Sequence, residues 1–312
     1  MVAVAKWYVS YLNGSFSSRV PKGEWEKKPY NPVLGEQYIM SWGNEEDKYG
    51  VTNVCCEQTS HHPPITGFMM KNEKAGIELN GHTGQKTRFT TTSLICDQVG
   101  QSLLTLKNTG ESYLITSPSL TVNGIWYAAP YVELTGNAFI QGTTGLYATF
   151  EFSSKGWLSG EKNHFKCYIR KNTAPKDYIY KIEGQWSGKS TITASGSKKS
   201  EPFLDVTELK PAALNVKALD EQNEMESRKI WQKVSEAIKQ GDTQTAGAEK
   251  SKIENQKRTE LAEREKNQTT WTPAHFEWKE SEPNVHSLQR MLQSAVKTKY
   301  DPATNGNWVF TS

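Results

Sequence analysis

Hydrophobic and polar positions divide the chain into three stretches. From Ala3 to Leu12 the residues Val4, Trp7, Tyr8 and Tyr11 recur at helical spacing, which predicts a short core-facing helix with Gly14 as its stop. Residues 37–200 carry short apolar runs instead. Some alternate strictly, as in Tyr147-Ala148-Thr149-Phe150-Glu151-Phe152 and Tyr178-Ile179-Tyr180-Lys181-Ile182. A period of two puts one set of side chains on one face of a strand. Turn signals punctuate the runs at Asn80-Gly81, Asn123-Gly124, Thr135-Gly136-Asn137, Ser159-Gly160 and Ser187-Gly188. Short strands at such spacing predict an antiparallel meander closing into a barrel, with room inside for a ligand.

After Pro202 the pattern changes. Leu209 to Asn215, with Pro211, reads as a linker. Asn223–Gln240 reads as one amphipathic helix whose stripe is Ile230, Trp231, Val234 and Ile238, ended by Gly241-Asp242. Residues 246–268 are highly charged, with i,i+4 pairs such as Glu254–Arg258 and Glu260–Arg264, and read as a helix at the barrel's edge. Apolar residues at heptad spacing are too scarce there for a coiled coil. Trp271, Phe276 and Trp278 are expected to dock the tail on the core, and Trp308-Val309-Phe310 to add a last pairing segment. The expected fold is mainly β with helices, in one domain. Residues 1–36 form the N-terminal helix and lead-in, 37–205 the barrel, and 206–312 a C-terminal helical subdomain.

Composition narrows the function classes. The chain has 312 residues, of which 36% are hydrophobic and 11% aromatic, enough for one large domain or two small ones. A formal charge of +3 permits anionic ligands or membrane surfaces but does not suggest a nucleic-acid protein. No apolar run approaches the roughly 20 residues of a membrane span, and no signal-peptide pattern is present. Cys55, Cys56, Cys96 and Cys167 lack metal-ligand spacing. Adjacent Cys55 and Cys56 face opposite sides of a strand, which suits packing and a reducing cytosol better than a disulfide.

One stretch carries chemistry. In Glu57-Gln58-Thr59-Ser60-His61-His62-Pro63-Pro64, two imidazoles stand at a strand end stiffened by prolines. A neutral imidazole can donate and accept a hydrogen bond, and a protonated one donates from both nitrogens. Such a pair suits an anion such as a phosphomonoester. Metal ligation is disfavoured, because His61-His62-Pro63-Pro64 does not fit helical H-E-x-x-H geometry and no second ligand cluster is evident. Gly-x-Ser-x-Gly is absent, so a hydrolase elbow finds no support.

This stretch resembles the EQxSHHPP fingerprint of the oxysterol-binding-protein-related lipid-transfer family. Three further segments resemble that family's motifs, in its order. They are Lys28-Pro29-Tyr30-Asn31-Pro32-Val33-Leu34-Gly35-Glu36 (KPxNPxLGE), Glu226-Ser227-Arg228-Lys229-Ile230-Trp231 (ESRxxW), and Lys250, Glu254 and Arg258 (KxxxExxxR). The resemblance implies a large, incompletely closed barrel around a lipid tunnel, and no enzymatic activity or cofactor. It also implies that Lys28, Asn31, His61, His62, Lys250, Glu254 and Arg258 hold phosphatidylinositol 4-phosphate at the tunnel mouth. Taken singly, each of these residues would be read as ordinary surface or capping structure. Arg228 is expected to pair with Glu224, and Glu36 to be architectural. The expected partners are that phosphoinositide, a second lipid and, transiently, a membrane surface. The protein is expected to be a cytoplasmic monomer, peripherally associated with membranes at Golgi or endoplasmic-reticulum contacts.

The second lipid is expected to be a sterol, with phosphatidylserine as the alternative, and a lipid sensor without transfer is the competing function. Fungal sterol binders of the family place a Gln-Tyr pair after the first helix, where this chain has Ser15-Phe16. Phe16 lacks the phenolic hydroxyl, and Gln98 is a candidate polar partner deeper in the tunnel. Sterol-binding relatives also carry an N-terminal lid segment. Its absence here implies either a trimmed chain or a natural short, lidless member with faster lipid exchange.

Overall fold

In a computed structural model of the chain, the structure describes residues 1–17, 30–125, 130–154, 161–296 and 306–311. Two compact units form. One comprises Met1–Lys28, Thr83–Pro211 and Lys279–Asn307; the other comprises Pro29–His82, Ala212–Trp278 and Trp308–Ser312.

The first unit opens with helix α1 (Val2–Phe16), which runs through Gly14 rather than stopping there. Its buried face is Val4, Ala5, Tyr8, Val9 and Leu12, while Trp7 and Tyr11 are more than a third exposed. The core-facing stripe is therefore turned from the expected one. The small residue Ala5 can approach the core closely, and the larger aromatics stay at the rim. Tyr8 is fully buried, packs against Phe150 and donates to the Thr116 carbonyl across 2.9 Å.

Strands follow in antiparallel succession: β5 (Leu94–Leu106), β6 (Glu111–Ile115), β7 (Ser119–Asn123), β8 (Tyr131–Gly142), β9 (Leu146–Ser153), β10 (His164–Lys171), β11 (Ala174–Gln185), β12 (Lys189–Ala194) and β13 (Glu201–Asp205). Their order is β13-β12-β11-β10-β9-β8-β6-β5, with β7 pairing both β5 and β8. Two expected turns lie inside strands. Asn80-Gly81 is within β4 (Ile77–Phe89), and Thr135-Gly136-Asn137 is within β8. In β8 the chain pairs β7 through Thr135 and β9 from Gly136 onward, and Gly136 has a φ of +78°. A glycine there lets the strand change partners without ending. The expected turn Ser159-Gly160 lies outside the described residues. Helix α5 (Pro283–Val296), which was not anticipated, buries Val285, Leu288 and Leu292. Val285 and Leu288 pack against Leu114.

The second unit contains β1 (Gln37–Trp42), β2 (Thr52–His61), β3 (Pro64–Asn72) and the short β14 (Leu214–Asn215), in the order β3-β2-β1-β14. β14 falls inside the expected linker. A separate ribbon pairs β15 (Phe276–Lys279) with β16 (Asn307–Phe310), as the Trp308-Val309-Phe310 pattern suggested. Phe276 is buried against Cys55 and Met69. The four cysteines are free.

The expected helix over Asn223–Gln240 is two helices, α2 (Ser227–Ile230) and α3 (Gln232–Lys239), parted at Trp231. Trp231 leaves helical geometry (φ −94°, ψ 8°) as its indole N–H reaches Glu36. The break shifts the apolar stripe downstream of it. Val234 and Ala237 are buried, while Ile238, expected in the stripe, is exposed. Helix α4 (Thr243–Asn267) begins at Asp242, whose carboxylate accepts from the Thr245 backbone N–H at 2.9 Å. It ends at Gln268 in the left-handed region. Only Ala246 of its described residues is fully buried, so most of this charged helix faces outward.

Candidate ligand site on a basic helix

The second unit contains a cavity of about 550 Å³. Three separated segments form it. Asn31, Val33 and Leu34 come from the lead-in to β1, Thr59, Ser60 and His61 from the end of β2, and His62 from the turn that follows it. Glu254, Lys257, Arg258, Leu261 and Arg264 come from α4, with Trp231 and Trp271 completing the wall.

Three consecutive residues, Thr59, Ser60 and His61, cannot all face one cavity in a regular strand, because alternate side chains point to opposite faces. The β2–β3 register breaks between Gln58 and Ser60. Such a bulge re-aims the side chains that follow it. A tight turn at His62–Pro63 follows, and both histidines line the cavity; the His62–Pro63 peptide bond is cis. The imidazoles stand edge to face, 4.7 Å apart. His61 is half-buried and His62 exposed. Burial holds the His61 pKa below its usual value, the neighbouring His62 adds to the depression, and a hydrogen bond to the Pro32 backbone opposes it. His61 Nδ1 is buried without a hydrogen-bond partner.

The lead-in is clamped to β2 and α2. Gly35 N–H donates to the Gln58 carbonyl and Gln58 N–H to the Glu36 carbonyl, each at 2.9 Å. Buried Glu36 accepts from the Val33 backbone N–H (2.9 Å), the Ser227 hydroxyl (2.6 Å) and the Trp231 indole (3.0 Å). It is architectural, as expected. Glu57, fully buried, accepts from the backbone N–H groups of Ala274 and His275, both at 2.8 Å. Gly35 has a φ of +80°, and a Cβ there would lie 2.5 Å from the Trp271 ring. A bare backbone is therefore what seats that indole against the lead-in.

Of the residues expected to bind a ligand, Asn31, His61, His62, Glu254 and Arg258 come together around this one cavity. Lys250 lies on the same arc of α4 one turn before Glu254, outside the lining, and its Nζ is 3.0 Å from the Glu254 carboxylate. Lys28 lies outside the described residues. Phe16 and Gln98 belong to the first unit. Phe16 is half-buried at the end of α1, and Gln98 donates to the Pro118 carbonyl at 3.0 Å. The expected Arg228–Glu224 pair is not what forms: Glu224 lies 3.8 Å from Lys229, and Arg228 is exposed. Lys257, Leu261, Arg264 and Trp271 line the cavity without having been singled out as ligand groups. The signal for the first three is positional. Residues 254, 257, 258, 261 and 264 fall on one arc of α4. Among the described residues, no group of three or more His, Cys, Asp or Glu could hold a metal ion.

The family model for oxysterol-binding protein matches residues 1–237. The chain belongs to the oxysterol-binding protein family. It is 39% identical to Protein KES1 of Mycosarcoma maydis, across 99% of this chain and 79% of that one. It is 38% identical to Protein kes1 of Schizosaccharomyces pombe, across 94% of this chain and 76% of that one. Among solved structures it is similar to the Osh1 ORD domain in complex with cholesterol, with a TM-score of 0.69 at 19% identity over 98% of this chain and 72% of that one. It is also similar to the Osh3 ORD of Saccharomyces cerevisiae in complex with PI(4)P, with a TM-score of 0.66 at 20% identity over 88% of this chain and 72% of that one. The fold expected from the sequence, a mainly antiparallel β barrel with helices, is the fold of this family. No helix among the described residues is long and apolar enough to cross a membrane.

Proposed function

We propose that this chain binds the head group of phosphatidylinositol 4-phosphate in the cavity on α4, and exchanges that lipid for a second one, a sterol, between membranes. One observation carries the reading. Motif residues from three distant segments, Asn31, His61, His62, Glu254 and Arg258, line one cavity, and they have the donors a phosphorylated inositol needs. A buried phosphate without several charge-assisted donors would be strongly unfavourable. Lys28 and Lys250 join the set on motif position. Similarity to the Osh3 structure with PI(4)P and to the Osh1 structure with cholesterol supports the two ligand classes.

In this reading residues 1–312 act as one lipid-binding domain and a monomer. The acyl chains and the sterol occupy the lipid tunnel that the family resemblance implies. Phe16 offers apolar surface to the sterol and Gln98 a polar partner. Binding and exchange need no bond to break, so no catalytic residue is assigned. The protein works in the cytoplasm, touching Golgi and endoplasmic-reticulum membranes transiently.

Transfer of a fluorescent sterol between liposomes, with and without phosphatidylinositol 4-phosphate on the acceptor, tests the exchange. Faster sterol transfer with the phosphoinositide present is expected. Binding of both lipids without transfer would make the protein a sensor. Phosphoinositide-driven movement of phosphatidylserine but not sterol would change the second lipid.

A further inference from the structure

Four apolar side chains line up at one end of the sheet in the first unit. Leu94 on β5 stands opposite Val122 on β7, and Val122 stands opposite Val132 on β8. A four-residue turn closes β4 onto β5, with Thr90 N–H donating to the Ser93 carbonyl at 2.9 Å, and this sets Phe89 across from Leu94. Directly opposed residues of antiparallel strands share a face, so Phe89, Leu94, Val122 and Val132 form one row across four strands. Exposure rises outward along that face. Leu134, the next residue inward from Val132 on this face of β8, is 1% exposed; Leu94 and Val122 are half-buried; Val132 is 39% exposed and Phe89 83%.

A single exposed phenylalanine is ordinary on a protein surface, but an apolar row that opens progressively towards a strand end is not. The row is also stiff. The Ser93 hydroxyl donates to Asn123 Oδ1 at 2.8 Å, which ties the β4–β5 turn to the end of β7, and the Thr90 hydroxyl accepts from Ser93 N–H at 3.0 Å. Each of the four strands has a neighbour on both sides, so none offers a free edge to a partner strand. A folded partner would have to match separate side chains of different reach. A fluid apolar layer takes them without a fitted pocket.

The border of the row has the chemistry of a lipid–water boundary. Tyr131, next to Val132, is partly exposed, and the Lys162 ammonium stands 5.3 Å from its ring centre. An amphipathic ring and a long-stemmed cation hold the head-group level while their neighbours go deeper. The charges beside the row nearly balance. Lys86, Arg88 and Lys162 stand against Asp97 and Glu161, Arg88 already pairs with Asp97 at 3.0 Å, and Glu133 is buried on the other face. A surplus of one positive charge neither repels an anionic leaflet nor demands one.

We infer that this row is a lipid-insertion edge. Phe89, Leu94, Val122 and Val132 enter the apolar layer of a membrane surface, and Tyr131 and Lys162 stay at its head groups. Apolar insertion, rather than charge, supplies the affinity. The row belongs to the first unit and the cavity on α4 to the second, and docking through the row needs no phosphoinositide.

Flotation of the full chain with liposomes free of phosphoinositide tests the edge, using phosphatidylcholine alone and phosphatidylcholine mixed with phosphatidylserine. Wild type is expected to float with both, its partition coefficients within about fivefold, the effect of one basic residue near an anionic surface. Phe89→Ser changes an exposed position, so it should fold, and it should lower partition about tenfold on both vesicles. Phe89→Trp should bind at least as well as wild type. Ile238→Ser, at an exposed apolar position on α3, should change binding by less than about twofold. Should Phe89→Ser fail to fold, Val132→Ser carries the same test. Undiminished binding by the serine variant would overturn the inference, as would an equal loss in Ile238→Ser. Wild type that floats only with phosphatidylserine, or with neither vesicle, would overturn it too. Self-association of wild type that Phe89→Ser abolishes, without flotation, would reassign the row to a contact between copies of this chain.

Discussion

The indole N–H of Trp231 donates to the buried carboxylate of Glu36 across 3.0 Å, joining two positions 195 residues apart in the chain. The same carboxylate accepts from Val33 N–H and from the Ser227 hydroxyl. It therefore anchors the loop bearing Asn31 to α2, while Trp231 itself lines the cavity. Two of the motif segments are thus joined through one acceptor. Glu36→Ala leaves three donors without their partner, and each buried orphan costs about 1–3 kcal/mol. A loss of about 3 kcal/mol or more is expected in the unfolding free energy from urea denaturation. A change below about 1 kcal/mol would contradict the anchoring role.

Gly35→Ala tests the seat of Trp271. A side chain is strained at a φ of +80°, and its Cβ would fall 2.5 Å from the indole. The ring must move, and with it the contact of the Arg264 guanidinium, which stands 5.8 Å from the ring centre. The variant should lose about 1–3 kcal/mol of stability and bind the phosphoinositide head group more weakly. Unchanged stability and binding would show that the close packing here is not needed.

His61 makes the apo protein sensitive to acid. Its folded pKa lies below its usual value, mainly through burial. Between that lowered value and about 6.5 the unfolded chain therefore binds more protons than the folded one. Stability from this group is fully present above about 6.5 and declines as pH falls through that window. His61→Asn should flatten the corresponding part of the pH–stability curve. A ligand dianion reverses the preference by favouring the imidazolium, so head-group binding should take up protons near pH 6.5. Calorimetry in two buffers of different ionisation enthalpy reads that uptake; an identical heat in both would contradict it.

Glu57 joins β2 to the segment before β15 through the backbone N–H groups of Ala274 and His275. Glu57→Gln turns one acceptor into a donor that faces an N–H. The expected cost is about 2 kcal/mol. Amide exchange at Ala274 and His275 should quicken more than in β2; exchange that rises equally everywhere would indicate a general loss of stability instead.

The histidine pair was legible in sequence because the fingerprint around it is dense, and because prolines constrain its backbone whatever the tertiary context. The alternating strands β9 and β11 were legible by their period. Helix α4 was legible as a helix, but its cavity-facing arc was not. Lys257 and Arg264 sit among many similar charges, and only Trp271 and the lead-in packed nearby tell them apart. The break at Trp231 was hidden for a related reason. The helical period continues through it, and the hydrogen bond to Glu36 that competes with it comes from far upstream. Asn80-Gly81 and Thr135-Gly136-Asn137 carried turn chemistry that strand pairing overrode.

The central claim is that His61, His62 and Arg258 together hold a phosphoinositide head group. Extraction of phosphatidylinositol 4-phosphate from liposomes tests it most directly, comparing wild type with the His61→Ala, His62→Ala double variant at matched folded protein. Stoichiometric extraction by wild type and loss of at least about tenfold in the variant are predicted. Undiminished extraction by a folded double variant would contradict the claim.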